Sequence, residues 1–340
     1  MGSPRRFFIA LPAGLILVLG TYLGLFRFQL GAPTESSRWC YEITRQKHDL
    51  SQAIPGPRIL LVGGSSVHFG MSARLISEVT GKPAINFGNH AALGPAYMFH
   101  VLKHTVRAGD TVLLALEYES FGPNGTDSPG WDDPQYLDYI SSRDPAYFLD
   151  LPLREQFELS MIMQQTRLLQ GVKCKFRPEP KVELGPPYDV TQVNAYGDLK
   201  GHTYARRPTN APAIQVPIKL LLKGPPPTDA GWAPIADFCQ WARTNGIRVL
   251  ATFPPVVSQS GYNQPAAQRT IDRIGAFYQR LQVPVLEPAR SLILPAGQFY
   301  DTRYHLVEEE QMARTIRLIP LLMEQLSKPA DPGHTPAVNR

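Results

Sequence analysis

Three short apolar runs, separated by helical patterns, constrain the fold of this chain more than any other feature. The runs cover Arg58–Val62, Ala84–Phe87 and Thr111–Leu116, and each has the length of a strand. Strands that are apolar throughout are typical of a parallel sheet covered on both faces. Helical patterns at 72–80 and 95–106 connect the runs, and this β-α-β-α-β order predicts right-handed crossovers. We therefore predict a three-layer α/β/α fold with a central parallel sheet.

The same alternation resumes in the C-terminal part of the chain. Here the pattern predicts helices at 230–244, 265–281 and 308–326, and strands at 248–253 and 285–286. In the last helix the apolar residues recur about every 3.6 residues, so we expect this helix to pack on the sheet. The α/β domain is therefore predicted to span residues 58–327.

A long segment from about 120 to 227 interrupts the alternation. It is rich in Pro, Gly, Asp and Tyr and contains one helical pattern, at 153–170. Because it is too long for an ordinary loop, we predict an irregular insertion that covers the functional edge of the sheet. The Pro-rich residues 328–340 are expected to form a disordered tail.

The N-terminus carries a membrane-length apolar segment. Phe7–Phe26 contains no charged residue and follows two arginines. About 20 residues at a rise of 1.5 Å span a hydrocarbon core of roughly 30 Å. A cleaved signal peptide has a shorter apolar core and a small-residue cleavage site, whereas Arg27 follows this run. We predict a single-pass signal anchor over residues 1–30, then a linker over 31–57 with a short helix near 39–47.

The charge pattern also indicates a location. The arginines before the apolar run favour a cytoplasmic N-terminus, so we predict a single-pass protein of a bacterial inner membrane whose main domain is periplasmic or otherwise extracytoplasmic. The net charge of +5 comes from dispersed basic residues, which gives little support for nucleic-acid binding. Of the three cysteines, Cys40 and Cys174 are the pair that we would test for a disulfide. No cysteine spacing resembles a zinc site.

Polar residues follow each predicted strand at the end where ligands bind on open α/β sheets. Ser65 and Ser66 lie in a glycine-rich loop after the first strand. The loop after the second strand contains small and polar residues whose N–H groups or side chains suit an oxyanion, and Glu117 follows the third strand. The candidates in the second loop are Asn86, Gly88, Asn89 and Ala91.

An acid and a histidine precede the last helix. In this position His305 would act as the general base for a serine, and Asp301 would orient its imidazole ring. A serine at the first strand end and this pair near the C-terminus together predict acyl-transfer chemistry.

These residues resemble the motif blocks of the SGNH (GDSL-like) hydrolases. The blocks are Gly64-Ser65-Ser66 with Gly70, then Asn86-x-Gly88, and finally Asp301 with His305. The resemblance covers roughly residues 58–120 and 230–325, and it implies an SGNH/flavodoxin-like fold. It is closest to membrane-anchored branches that O-acylate or deacylate cell-envelope polysaccharides, as in the alginate O-acetylation proteins and the D-alanyl transfer protein.

The resemblance assigns roles to individual residues. Ser66 takes the place of the nucleophile, because Ser65 then stands at the aspartate of Gly-Asp-Ser and Gly70 lies four residues further on. A second register, Gly63-Gly64-Ser65, keeps Ser65 open as the nucleophile.

Ser65 in place of the aspartate is one departure from the family pattern, and two further features also depart from it. Asp301 and His305 are separated by three residues, where the family has two. The asparagine of the third block is absent, and Glu117-Tyr118-Glu119 stands at that strand end. Both departures bear on whether the site is catalytic.

The sequence as a whole therefore predicts an envelope-anchored serine esterase or O-acyltransferase. Its substrate would be an acyl ester, most simply acetyl, on a cell-envelope or exported polysaccharide, and neither a metal nor an organic cofactor is predicted. Two alternatives stay open: a catalytically silent glycan-binding protein, and an assembly subunit that partners a membrane-bound acyltransferase.

Overall fold

The computed structural model describes residues 4–122, 134–177, 185 and 188–329, with side chains from Leu11 onward. The helices of the N-terminal half are α1 (Pro4–Gln29), α2 (Glu35–Ala53), α3 (Ser65–His68), α4 (Ala73–Thr80), α5 (Gly94–Lys103), α6 (Pro134–Arg143), α7 (Pro145–Asp150), α8 (Leu153–Ile162) and α9 (Gln165–Cys174). Those of the C-terminal half are α10 (Lys219–Lys223), α11 (Ala233–Thr244), α12 (Pro265–Arg280) and α13 (Glu308–Ser327). The strands are β1 (Ile59–Val62), β2 (Ala84–Asn86), β3 (Thr111–Leu114), β4 (Arg248–Ala251), β5 (Val256–Val257) and β6 (Ile293–Leu294).

The central sheet has four parallel strands in the order β2-β1-β3-β4. In its register Leu60 of β1 pairs with Ile85 of β2 and with Val112 of β3. The predicted central parallel sheet in a mixed α/β fold is therefore confirmed. At the predicted strand 285–286 there is only a single parallel bridge from Val285 to Ala251, and the preceding Pro284 has no N–H to extend the pairing.

Alternate residues of the strands enter two separate hydrophobic clusters. Leu60 and Val112 pack with side chains of α5, α11 and α12, among them Phe238. Leu61 and Leu113 pack with side chains of α4 and α13. Since side chains alternate between the faces of a strand, the apolar character of every position follows from burial on both faces.

The chain divides into two compact units. Residues 1–41 and 131–182 form the first, here called the anchor unit, and residues 42–130 and 183–340 form the second, here called the sheet unit. The segment predicted as one insertion, 120–227, thus contributes residues to both units. The predicted tail falls outside the described residues from 330 onward.

Two helices differ from the predicted pattern. α2 extends over 19 residues where a linker with a short helix was expected, because 35–53 contains no proline or glycine to interrupt it. The predicted helix at 153–170 is two helices, α8 and α9, since Met163 and Gln164 adopt extended backbone angles between them.

In the anchor unit, α1 is long and apolar enough over Leu11–Gln29 to cross a membrane, by length and composition. Its last turns pack against α9, where a Cβ on Gly171 would collide with Gln29. Cys40 and Cys174, also in this unit, are not joined by a disulfide.

In the sheet unit, a buried ion pair joins the amino ends of β1 and β3. The Arg58 guanidinium lies 2.6 Å from Asp110 Oδ2, and both side chains are fully buried. Asp110 also accepts hydrogen bonds from the backbone N–H groups of Arg58 and Arg107. The desolvation of the two buried charges is offset by their mutual attraction and by the additional hydrogen bonds. Removal of one member leaves the other charge buried without compensation.

We therefore expect Asp110→Ala to destabilise the protein by about 3–5 kcal/mol, the usual cost of stranding a buried charge. The measurement is urea-induced unfolding of the full chain in detergent. Glu78→Ala is the matched control, because the Arg74–Glu78 pair is largely exposed and should change stability by less than about 1 kcal/mol. Equal effects of the two substitutions would contradict this account of the buried pair.

Candidate functional site

The loop after β1 approaches its neighbours so closely that only glycine fits. A Cβ on Gly63 would collide with the Ala115 carbonyl, and a Cβ on Gly64 would come 2.6 Å from Ala91 Cα. The two glycines therefore bring the first turn of α3, with Ser65 and Ser66, to the carboxyl edge of the sheet beside the loop after β2.

Asp301 and His305 form a hydrogen-bonded pair in the sheet unit. His305 Nδ1 lies 2.6 Å from Asp301 Oδ1, and Tyr188 donates its hydroxyl to the other carboxylate oxygen. Burial favours a higher pKa for Asp301, but the hydrogen bonds and the imidazole charge outweigh it and lower the pKa. The additional residue between acid and histidine is accommodated in a loop closed by the antiparallel bridge of Phe299 and Leu306.

Phe69 provides the surface on which His305 lies. The two rings are stacked with a centroid distance of 3.9 Å and an angle of 1°. Phe69 follows Ser65 by four residues, about one helical turn, so His305 lies against the end of α3. His202 packs edge-on against the same phenyl ring, and burial lowers its pKa to about 4, which favours a neutral imidazole.

The two serines have different surroundings. Ser66 is fully buried, its N–H donates to Glu117 Oε1 at 2.9 Å, and its hydroxyl donates to the Ala115 carbonyl at 3.3 Å. Ser65 is partly exposed. Within the described part of the chain, neither hydroxyl is hydrogen-bonded to His305. The structure thus pairs the predicted acid and histidine but does not bond the histidine to a serine.

Glu117 lies beneath the serine loop. Its carboxylate accepts the N–H groups of Gly64, at 3.1 Å, and of Ser66. Burial raises the pKa of Glu117, and the hydrogen bonds from Ser66 oppose this shift. Glu119, two residues on, accepts a hydrogen bond from the Tyr304 hydroxyl and is 2.6 Å from the Arg303 guanidinium. Both glutamates at the end of β3 are therefore engaged in positioning neighbouring loops.

The asparagines predicted for the oxyanion site point into the scaffold. Asn86 donates its amide to the carbonyls of Val67 and Met71, and its oxygen accepts the Gly88 N–H. Asn89 donates its side-chain amide to Thr44. These side chains join the loops after β1 and β2 to each other and to α2.

Two backbone N–H groups near the serine loop have no acceptor among the residues that the structure describes. Ser65 is the first residue of α3, and Ala91 is the first residue of a 3₁₀ turn over Ala91–Leu93. Among the described residues no atom accepts a hydrogen bond from either N–H. The first N–H groups of a helix or turn have no partner within it, and the contact of Gly64 with Ala91 brings the starts of the two elements close together.

Lys47 of α2 is buried next to these loops. Its ammonium group donates to His68 Nδ1 at 2.8 Å, to Asn86 Oδ1 at 3.3 Å and to the Gly88 carbonyl. Three donors thus meet three acceptors from the loops after β1 and β2. Burial lowers the pKa of Lys47 to about 7, and the charge of Asp198 opposes the shift.

Sequence reasoning missed four residues around the site: Lys47, Phe69, Tyr188 and His202. Lys47 lay in the predicted linker, and the only signal was its four-residue spacing from the apolar Ile43. Tyr188 and His202 lay in the predicted insertion, and nothing in that segment marks them as neighbours of Asp301 or Phe69. Within the described ranges no group of three or more His, Cys, Asp or Glu side chains is arranged to hold a metal ion.

No known protein-family model matches this chain, and no curated protein sequence matches it either. Function is therefore inferred from the residues and their geometry alone.

The buried Lys47 makes stability depend on pH. In the unfolded chain a lysine keeps its proton up to its ordinary pKa of 10.5, whereas folded Lys47 loses it near 7. Between these values the unfolded chain binds one more proton, so the free energy of unfolding rises with pH by up to about 1.4 kcal/mol per unit. We expect Lys47→Met to remove this component, as measured by urea unfolding at pH 7, 8 and 9.

The control is Lys82→Met, because Lys82 is exposed and should leave the slope unchanged. An identical pH slope in the wild type and in Lys47→Met would show that the folded lysine keeps an ordinary pKa.

Proposed function

We propose that this protein is an envelope-anchored serine esterase or O-acyltransferase with an SGNH-like three-layer domain. Its substrate would be an acyl ester, most simply acetyl, on a cell-envelope or exported polysaccharide. The observation that carries the proposal is the 2.6 Å Asp301–His305 pair stacked on Phe69, one helical turn after Ser65. Acid, base and hydroxyl in this order are the components of nucleophilic acyl transfer.

In the proposed reaction the Ser65 hydroxyl attacks the ester carbonyl while His305 Nε2 takes its proton. Asp301 holds the Nδ1–H and stabilises the imidazolium. The tetrahedral intermediate collapses when the C–O bond to the sugar breaks and His305 returns the proton to the leaving sugar oxygen. Water, or a second sugar hydroxyl, then attacks the acyl-serine by the same steps in reverse order and releases the acid or the new ester.

The environment favours Ser65 over Ser66 as the nucleophile, which reverses the preference taken from the motif. The Ser66 N–H is held by Glu117 and its hydroxyl faces the Ala115 carbonyl. In serine-dependent acyl transfer the nucleophile's own N–H can donate to the oxyanion, and of the two serines only Ser65 has an N–H without an acceptor among the described residues. The Ala91 N–H supplies the second donor, since Gly64 packs against Ala91.

The membrane location is the second part of the proposal. α1 supplies one candidate spanning helix, and the arginines before the apolar run favour a periplasmic position for the sheet unit. An enzyme held there would meet polysaccharide on its way through or into the envelope. A membrane-bound acyltransferase that supplies the acyl group would be its natural partner if the reaction is transfer rather than hydrolysis.

We expect Ser65→Ala to lower kcat on p-nitrophenyl acetate and on an O-acetylated polysaccharide by about 10³-fold or more. Ser66→Ala is the matched neighbour and should cost about tenfold or less, because it removes a hydroxyl that only braces the loop. A fluorophosphonate probe followed by peptide mass spectrometry identifies the modified serine directly.

Each contrary outcome has a distinct meaning. Label on Ser66 would restore the motif's register and refute the assignment to Ser65. A wild-type protein that neither hydrolyses nor transfers acetyl, but binds the glycan as well as both variants do, would be the silent binding or assembly subunit.

Substitution of Asp301 and substitution of the tyrosine that donates to it should differ in their effect on rate. Asp301→Asn removes the carboxylate that sets the tautomer of His305, and comparable changes lower kcat by about 10⁴-fold. Tyr188→Phe removes only the second hydrogen bond to Asp301 and should lower kcat by about tenfold or less. The measurement is kcat of each variant as a function of pH. Equal losses of kcat in the two variants would contradict the role assigned to Asp301.

A further inference from the structure

One surface of the anchor unit exposes an unusual concentration of apolar side chains. Seven large apolar residues between 149 and 176 are exposed, against six in the described residues of the whole sheet unit. These seven are Leu149, Leu153, Phe157, Met161, Ile162, Leu169 and Phe176. Single exposed apolar residues are ordinary, so what matters is which of these side chains lie on one side of the same helix.

Three of them form a stripe along α8. Leu153, Phe157 and Met161 follow one another at four-residue intervals, with exposed fractions of 83%, 49% and 47%. Side chains at this spacing lie on one side of a helix. The Arg154–Glu158 ion pair lies beside the stripe on the exposed side of α8. The exposed side of α8 therefore carries an apolar stripe beside a charged pair, and apolar side chains exposed in this way gain free energy by contact with an apolar phase.

The position of α8 along α1 agrees with this pattern. The Tyr22 hydroxyl of α1 donates to the carbonyls of Ser160, at 2.6 Å, and Met163, at 3.2 Å. Tyr22 lies four residues before Phe26, where the uncharged run ends, which at 1.5 Å per residue is about 6 Å inside that end. If α1 spans a bilayer, the end of α8 is held at the boundary between acyl chains and headgroups, where tyrosine is enriched.

Basic residues and a further aromatic ring lie at the same end of α1. The Phe176 ring, 76% exposed, is 5.8 Å from the ring of Phe28. It is flanked by the exposed side chains of Lys175 and Arg177, and Lys175 also donates to the Leu30 carbonyl. An exposed aromatic ring suits the membrane interface, and the basic side chains beside it attract anionic lipid headgroups.

From these observations we propose that the α8 stripe, Leu153, Phe157 and Met161, lies in the interface of the bilayer that α1 spans. The anchor unit would then contact the membrane through α8 as well as through the spanning helix α1. The partner of the stripe would be lipid and not a protein. The bordering Arg154–Glu158 pair would face the headgroups. This inference depends on α1 as a membrane span and not on the proposed catalytic activity.

The test is the depth of spin labels in the full chain, reconstituted in nanodiscs of phosphatidylethanolamine and phosphatidylglycerol. Labels are introduced by Phe157→Cys or Met161→Cys in a background with Cys40→Ser and Cys174→Ser, while the buried Cys239 is left in place. Power saturation with oxygen and with a nickel complex gives the depth of each label. We expect both labels to lie about 5–10 Å inside the interface.

Glu158→Cys is the matched control, since it labels the neighbouring position on the same helix and should stay at or above the headgroups. Two stripe positions guard against failure of one variant to fold, which circular dichroism detects. Stripe labels as accessible to the nickel complex as the control would overturn the proposal. Labels that are water-exposed in nanodiscs but shielded in native membranes would also overturn it, in favour of a protein partner.

Discussion

The geometry of the candidate site depends on one buried carboxylate. Glu117 accepts the N–H groups of Gly64 and Ser66, and so fixes the turn between β1 and α3 from below. Desolvation of this carboxylate is costly, and two backbone hydrogen bonds offset it. The same bonds decide which donors remain for a ligand. Because Ser66 gives its N–H to Glu117, the N–H of Ser65 is the one that remains at the start of α3.

Lys47 connects the loop after β1 to the loop after β2. Its ammonium group joins His68 of the first loop to Asn86 and Gly88 of the second, with a donor for each acceptor. Lys47 thus joins the loops after β1 and β2, whereas Glu117 fixes the loop after β1, each through backbone or neutral side-chain partners. Buried charges with complete hydrogen bonding fix geometry, since any displacement leaves a charge without partners. The backbone around Ser65 and Ala91 is therefore held in place before any ligand arrives.

The sequence predicted the strands well because two independent signals coincide there. The first two predicted runs end at Val62 and Phe87, each followed by glycine, and β1 to β4 end within two residues of the predicted positions, whereas β5 and β6 were not predicted. It predicted the anchor-unit helices less well, since periodicity alone does not reveal that Met163 and Gln164 leave the helix. The site was predicted in outline only. A motif identifies the loops that supply backbone N–H groups. Which of these N–H groups remain available to a ligand depends on tertiary contacts, such as the hydrogen bond from Ser66 to Glu117.

The spacing of Asp301 and His305 shows the same limit of a sequence motif, but here the motif counts against a pair that the structure contains. The motif has a fixed number of residues between the acid and the histidine, because that number gives a fixed geometry. One additional residue therefore counts against a catalytic pair when the motif alone is considered. In the fold, the bridge between Phe299 and Leu306 closes the loop that contains both, and Tyr188 and Phe69 position the acid and the ring separately. The acid–base distance of 2.6 Å is then set by tertiary contacts and not by the number of intervening residues. A departure from a motif within a loop closed in this way is weak evidence against the chemistry.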